Sequence, residues 1–266
     1  MKRITLCLFF ILSLSFLAFT QNNPLDFGNP DNAVDDSNTS PDKLLVVHST
    51  FTMSYNKSRG AANWVAWHLD TDILGNLKRP EPDPFAPDTL LPADFRIVHA
   101  DYTGSGFDRG HMCPSGDRTK VKEEQVETFV MSNMQAQTGN LNRKTWKSLE
   151  DHERGIALAG QEEYIYAGCY GGTKKIKGKI VVPTKCFKII LILPKGDDDL
   201  SRVTQKSKII AVIMPNIKDL PTFWSNPAFL TTIDKIEKET GLDFFSNLPD
   251  GVEKTIEAKQ SLMLKM

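Results

Sequence analysis

The sequence predicts an α+β fold, an antiparallel sheet with helices packed against it, from three observations. Short apolar runs with strand character recur along the chain. Helix-period segments are fewer and stand between or after those runs, and neither an internal repeat nor a compositional break appears after residue 43. At 266 residues, 40% hydrophobic and 24% charged, the chain is long enough to bury a sizeable core.

Residues 1–20, MKRITLCLFFILSLSFLAFT, start with Lys2 and Arg3, run apolar from Leu6 to Leu17 and end on small residues around Ala18. That is the pattern of a signal peptide, too short and too early for a membrane span. An uncleaved anchor is the alternative; export to the medium or periplasm is the expectation. Residues 21–43 are rich in Asn, Asp, Ser and Pro and read as a solvated, flexible tether. A single domain is expected over 44–266. Within it LLVVHS, TFTMSY and WVAWHL read as strands. Residues 78–94 hold five prolines and read as a long surface loop. VKEEQVETFVM reads as an amphipathic helix, and 141–159, LNRKTWKSLEDHERGIALA, as the clearest helix, with Leu141, Trp146, Leu149 and Ile156 inward. EYIYAG, GKIVVP, CFKIILIL and SKIIAVIMP follow as strands, and TTIDKIEKETG as a helix stopped by Gly241.

Removing residues 1–20 leaves 30 basic against 33 acidic residues, a formal charge of −3. Bulk attraction for nucleic acid is thereby excluded, and any phosphate binding must rest on local positive charge. Three cysteines then remain, Cys113, Cys169 and Cys186. Export permits a bridge, and Cys169 with Cys186, each in a strand-like run, is the expected pair, which leaves Cys113 free.

The chemistry concentrates in FDRGHMCPSGDRT (107–119) and in the helix that follows it. On an ideal helix each residue turns by ~100°, so from Asn142 at zero, Trp146 falls near ~40°, Glu150 near ~80° and Arg154 near ~120°. Glu150 and Arg154 are spaced for an ion pair. An amide, a carboxylate and a guanidinium on one stripe suit oxyanion handling, although a solvated face with one ion pair has the same spacing.

The order DRGH, then SNMQAQ (132–137), then LNRKTWKSLEDHER (141–154), resembles the DNA/RNA non-specific endonucleases of the ββα-metal type. Mitochondrial endonuclease G and secreted bacterial sugar-nonspecific nucleases are of that kind. YNKSRGAANWVAWHL and IEKETGLDFFSNLPD extend the likeness from about Tyr55 to the C-terminal helix. The resemblance implies a ββα-metal core and hydrolysis of DNA and RNA alike, with 5′-phosphate ends. It implies His111 as the general base, Asn142 as the one direct protein ligand of a Mg²⁺ (or Mn²⁺), and Glu150 bonded to the ion's water. Arg109 and Arg154, with Arg79 from the Pro-rich loop, would hold phosphate oxygens, and Asn133 would orient the site. The sequence departs from the family at Ala136-Gln137, where the family has Pro-Gln, which implies a looser turn, and at Cys113, whose oxidation would affect activity.

Elementary chemistry fits those roles. An imidazole of ordinary pKa accepts a proton near neutrality, Mg²⁺ needs few protein oxygens, and guanidinium forks match paired phosphate oxygens. Contacts to backbone phosphate carry little base preference. Three rivals have weaker support. A Cys113 hydrolase has its histidine two residues away, a poor distance for a dyad. Structural zinc lacks any CxxC or HxxxH spacing. A catalytically weak nucleic-acid-binding relative would have lost His111 or Asn142, and both are present. The lysines of KKIKGK (Lys174, Lys175, Lys177, Lys179) form either a solvated hairpin or a phosphate track, and Trp64, Trp67 and Trp146 are expected in the core. An inhibitor partner and the oligomeric state leave no mark in the sequence.

Overall fold

The computed structural model describes residues 22–261, so the expected signal peptide lies outside the described residues. The chain begins β1 (Leu44–Val47), β2 (Thr52–Asn56), β3 (Ala61–Leu69), α1 (His99–Tyr102), β4 (Asp108–His111), α2 (Lys122–Glu127) and β5 (Met134–Gln137). A π-helical turn (Leu141–Trp146) then runs into α3 (Lys147–Leu158). After it come β6 (Gln161–Tyr170), β7 (Lys175–Ile176), β8 (Ile180–Val181), β9 (Lys185–Pro194), α4 (Asp199–Arg202), β10 (Lys208–Pro215), α5 (Ile233–Thr240) and α6 (Asp250–Glu257).

Six strands form one sheet in the order β1-β2-β3-β6-β9-β10, antiparallel at every pairing. Its strands are apolar on both faces because both faces are covered, and the period of two sorts the side chains. Ile165, Ala167, Ile190, Ile192, Ile210 and Val212 face one core with Trp67, Leu141, Trp146 and Leu149. Tyr164, Tyr166, Ile189, Leu191, Ile209 and Ala211 face the other, against Ile233 and Ile236 of α5 and Ile256 of α6. On the first side β4 and β5 pair antiparallel, Asp108 opposite Gln137 and His111 opposite Met134, and with the π turn and α3 they make the ββα module. Lys188 of β9 binds α3 to the sheet from below. It is fully buried, 2.8 Å from Glu153 and 4.6 Å from the centre of the Trp146 ring.

Cys169 and Cys186 stand opposite one another in the β6–β9 register and are bridged, as expected. Helix α5 also follows its signals. The Thr232 side chain accepts the Lys235 N–H at its start, and Gly241 takes φ +74° at its end, which a side chain would resist.

Residues 22–43 correct the expectation of a flexible tether. Phe27 is fully buried, its ring 4.5 Å from that of Tyr164 and 6.1 Å from that of Phe245. The buried Asp31 carboxylate accepts bonds from Trp64 Nε1 (2.9 Å) and Ser54 Oγ (2.7 Å). The Asn and Asp residues that suggested solvation instead cap and close turns: Asn23 caps residues 24–27, and Asn29 is bonded to both the amide and the carbonyl of Ala33. The second difference concerns Ala136-Gln137, which lie within β5, so there is no turn at 136 to loosen.

Candidate active site

Asp108 to His111 are a strand because β5 runs beside them, and the strand is tight. A Cβ at Gly110 would stand 2.0 Å from Gln137 Oε1, so only glycine fits between Arg109 and His111. The next residues are fixed by Asn133, whose side-chain oxygen accepts the Cys113 N–H (3.0 Å) while its amide donates to the carbonyls of Cys113 (2.9 Å) and Thr128 (2.8 Å). Asn133 is fully buried and therefore acts on the backbone beyond His111, not on a ligand.

His111, Asn142, Glu150, Arg79, Arg109 and Arg154 line one cleft of about 360 Å³, together with Arg143, Lys147 and the Pro114–Gly116 turn. The sequence-predicted residues other than Asn133 thus meet in a single place. His111 is nearly buried, wedged edge-on against Phe129 with ring centres 4.8 Å apart and beside Phe85 at 5.8 Å. Burial, with the charges of Arg79 and Arg109 beside it, lowers its pKa to about 3, so the ring is neutral; among the described residues its Nε2 has no hydrogen-bond partner. Arg109 lies over the Phe85 ring at 4.3 Å, and Arg79 lies over the Phe129 ring at 4.9 Å while paired with Asp83.

Asn142 projects from the π turn. Its Nδ2 donates to Asp108 Oδ2 at 2.9 Å, and Arg143 clamps the same carboxylate with bonds of 2.7 and 2.6 Å. A carboxylate only accepts, so the amide must present its nitrogen to Asp108, which leaves Oδ1 as a free oxygen donor. Burial opposes the charge on Asp108, but the bonds from Arg143 and Asn142 hold its pKa below the usual range. Glu150, two turns on, is pushed up to about 7, by burial first and by Glu153 and Asp117 against the pull of Lys188 and Arg154. One free amide oxygen and one carboxylate in an open cleft are hard donors that suit a hydrated divalent cation of the Mg²⁺ kind. Among the described residues, the one group of three acids close enough to share an ion is Asp234, Glu237 and Glu257, on α5 and α6 across the sheet from this cleft.

Two expectations need correction. Arg154 does not pair with Glu150: its partners are the buried Asp117 at 3.0 Å and Asp151, because the end of its long side chain turns toward the 115–117 turn. Cys113 is fully buried and its thiol is pushed up to about 12 by that burial, so it supplies neither a nucleophile nor an exposed oxidation site. Sequence reasoning passed over Asp108, the first letter of DRGH, whose pairing with a residue 34 positions later leaves no local signal. It also passed over Phe85 and Phe129, which read as ordinary core formers.

A family profile described as DNA/RNA non-specific endonuclease matches residues 29–251. A nuclease of a Nostoc species is 43% identical over 87% of this chain and 84% of its own. Nuclease C1 of Cunninghamella echinulata is 33% identical over 84% of this chain and 88% of its own, and mitochondrial endonuclease G of Caenorhabditis elegans 31% over 82% and 73%. A solved complex of EndoG with its inhibitor EndoGI superposes with a TM-score of 0.65 at 26% identity, covering 86% of this chain and all of that one.

Proposed function

The chain belongs to the DNA/RNA non-specific endonuclease family, metal-dependent phosphodiester hydrolases, and on that premise we propose an exported endonuclease with little base or sugar preference. The observation that carries the proposal is the shared cleft of His111, Asn142, Glu150, Arg79, Arg109 and Arg154. In it His111, neutral and desolvated, accepts the proton of the attacking water. Burial first, and then the charges of Arg79 and Arg109, hold the ring's proton affinity down, and an incoming phosphate offsets the second of these. The guanidinium groups of Arg79, Arg109 and Arg154 take the non-bridging oxygens and the charge that develops on them. Asn142 would hold the ion through Oδ1, with Glu150 accepting from its hydration shell. Mg²⁺, or Mn²⁺ in its place, would supply Lewis-acid charge to offset the negative charge that develops as the ester is cleaved. All these contacts address the phosphodiester and not the base, which supports cleavage of DNA and RNA alike into 5′-phosphate products. Export finds support in the Cys169–Cys186 bridge, which oxidising compartments favour.

The test is plasmid and RNA digestion with Mg²⁺, with and without chelator. His111→Ala is expected to lower turnover by roughly 10²–10⁴-fold, and Asn142→Ala to lower activity together with its metal dependence, both with unchanged circular dichroism. Digestion at the parental rate by either variant removes that residue from its assigned role.

A further inference from the structure

Lysines 174, 175, 177 and 179 take no part in that chemistry, yet the fold holds them beside it. They lie on the β7–β8 hairpin, which turns through Lys177 and Gly178, both at positive φ. Its underside, Ile176 and Ile180, packs with Ile97, Tyr102, Met131, Met134 and Ala136 in a third small core. Met134 and Ala136 belong to β5, opposite His111 and Arg109, so the hairpin and the reactive strand share one support. All four lysines are exposed. Among the described residues only Lys179 meets a carboxylate, Asp101 at 2.9 Å. Lys175 and Lys177 donate to the backbone carbonyls of Ser58 (2.8 Å) and Ala100 (2.5 Å), and Lys174 lies 5.9 Å over the Phe107 ring. Among the described residues, then, three of these positive charges have no carboxylate within ion-pair distance.

They are also joined to the cleft. Lys177 rests on α1, whose first residue, His99, contacts the Arg109 guanidinium at 2.9 Å, and Phe107 under Lys174 is two residues from Arg109. We propose that this hairpin is a second phosphate-binding surface, which takes the backbone of a long polynucleotide several nucleotides from the bond being cut. The inference rests on the nuclease reading above. On a chain with a formal charge of −1, bulk attraction cannot hold a polyanion, and a fixed basic ridge leading from the cleft can. The contacts are point charges on flexible stems, so they add length preference and no sequence preference.

The test substitutes Lys174→Gln, Lys175→Gln and Lys177→Gln together, leaving the Lys179–Asp101 pair intact. Steady-state kinetics are measured on a duplex of about 40 base pairs, spanning several turns, and on bis(4-nitrophenyl) phosphate, which is too small to reach the hairpin. The expected result is a KM for duplex raised roughly tenfold at ~0.1 M salt with kcat kept, and a plot of log affinity against log salt flatter by about 2–3. Hydrolysis of the small diester is expected to stay at the parental rate. Parental KM and salt slope on duplex overturn the proposal, and so does an equal loss on the small diester, which would place the effect in the fold. Duplex affinity of the triple variant built on His111→Ala is measured in parallel. It reads the surface without turnover, so failure of the hairpin and failure of the catalytic assignment give different results.

Discussion

Asp108 decides what Asn142 can do. Its carboxylate takes the amide nitrogen, so the oxygen is left for the cleft, and the Arg143 clamp keeps the carboxylate charged and still. Groups that orient a metal ligand without touching the ion typically contribute 10- to 100-fold to affinity or activity. Asp108→Ala is accordingly expected to raise the Mg²⁺ concentration for half-maximal plasmid cleavage by about 10–100-fold while the protein stays folded. A metal titration that superposes on the parent's would show that Asn142 holds its orientation unaided. The neighbouring Phe85 and Phe129 have a comparable influence on His111, removing water from the ring while the arginines stack on their outer faces.

At the scale of elements, what the sequence made legible was periodic and what it hid was long-range. The strands of the main sheet, the helix over 141–159, the α5 stop at Gly241 and the Cys169–Cys186 pair all carry local signals, and the structure has each of them. The residues of the cleft were legible because DRGH and the Asn helix are contiguous motifs. The π turn at Leu141–Trp146 was not: ideal α spacing placed Asn142 on the Glu150 stripe, and the wider turn changes the phase at the residue that has to reach the ion. The segment 22–43 was misread because its polar residues are employed in caps and turns, and its burial depends on a few side chains scattered among them. Phe27→Ala is expected to cost about 3–5 kcal/mol, the usual loss for a buried aromatic ring. Chemical denaturation reads it directly, and a loss below ~0.5 kcal/mol, as at a surface position, would return the segment to the status of a tether.

At the scale of the whole molecule, the arginines of the cleft and the lysines of the hairpin stand on one side of the sheet, and the acidic group of Asp234, Glu237 and Glu257 on the other. The acidic side has a pH consequence. Glu257 is raised to about 8 by burial and by Glu237, Glu253 and other acids around it, so the fold favours its protonated form, and stability declines as pH climbs from the ordinary carboxyl range toward 8. His48 has the same sign. Burial opposes its charge, but the bonds to Asp88 and Glu127 prevail and lift it to about 9. Its contribution is complete below the usual 6.5 and is lost as pH rises through 9. The melting temperature is therefore expected to fall between pH 6.5 and 9. Glu257→Gln should remove the lower part of that fall and His48→Gln the upper part, as scanning calorimetry at pH 6, 7.5 and 9 would show; a level profile for the parent contradicts both.

The burial of Phe27 also sets an order of events. Its pocket is completed by Phe245, and the bonds from Asp243 N to Pro30 O and from Asn247 N to Phe27 O close a loop of more than two hundred residues. The ring can dock on Tyr164 once β6 is in place, but its pocket closes only when residues 243–247, between α5 and α6, are present.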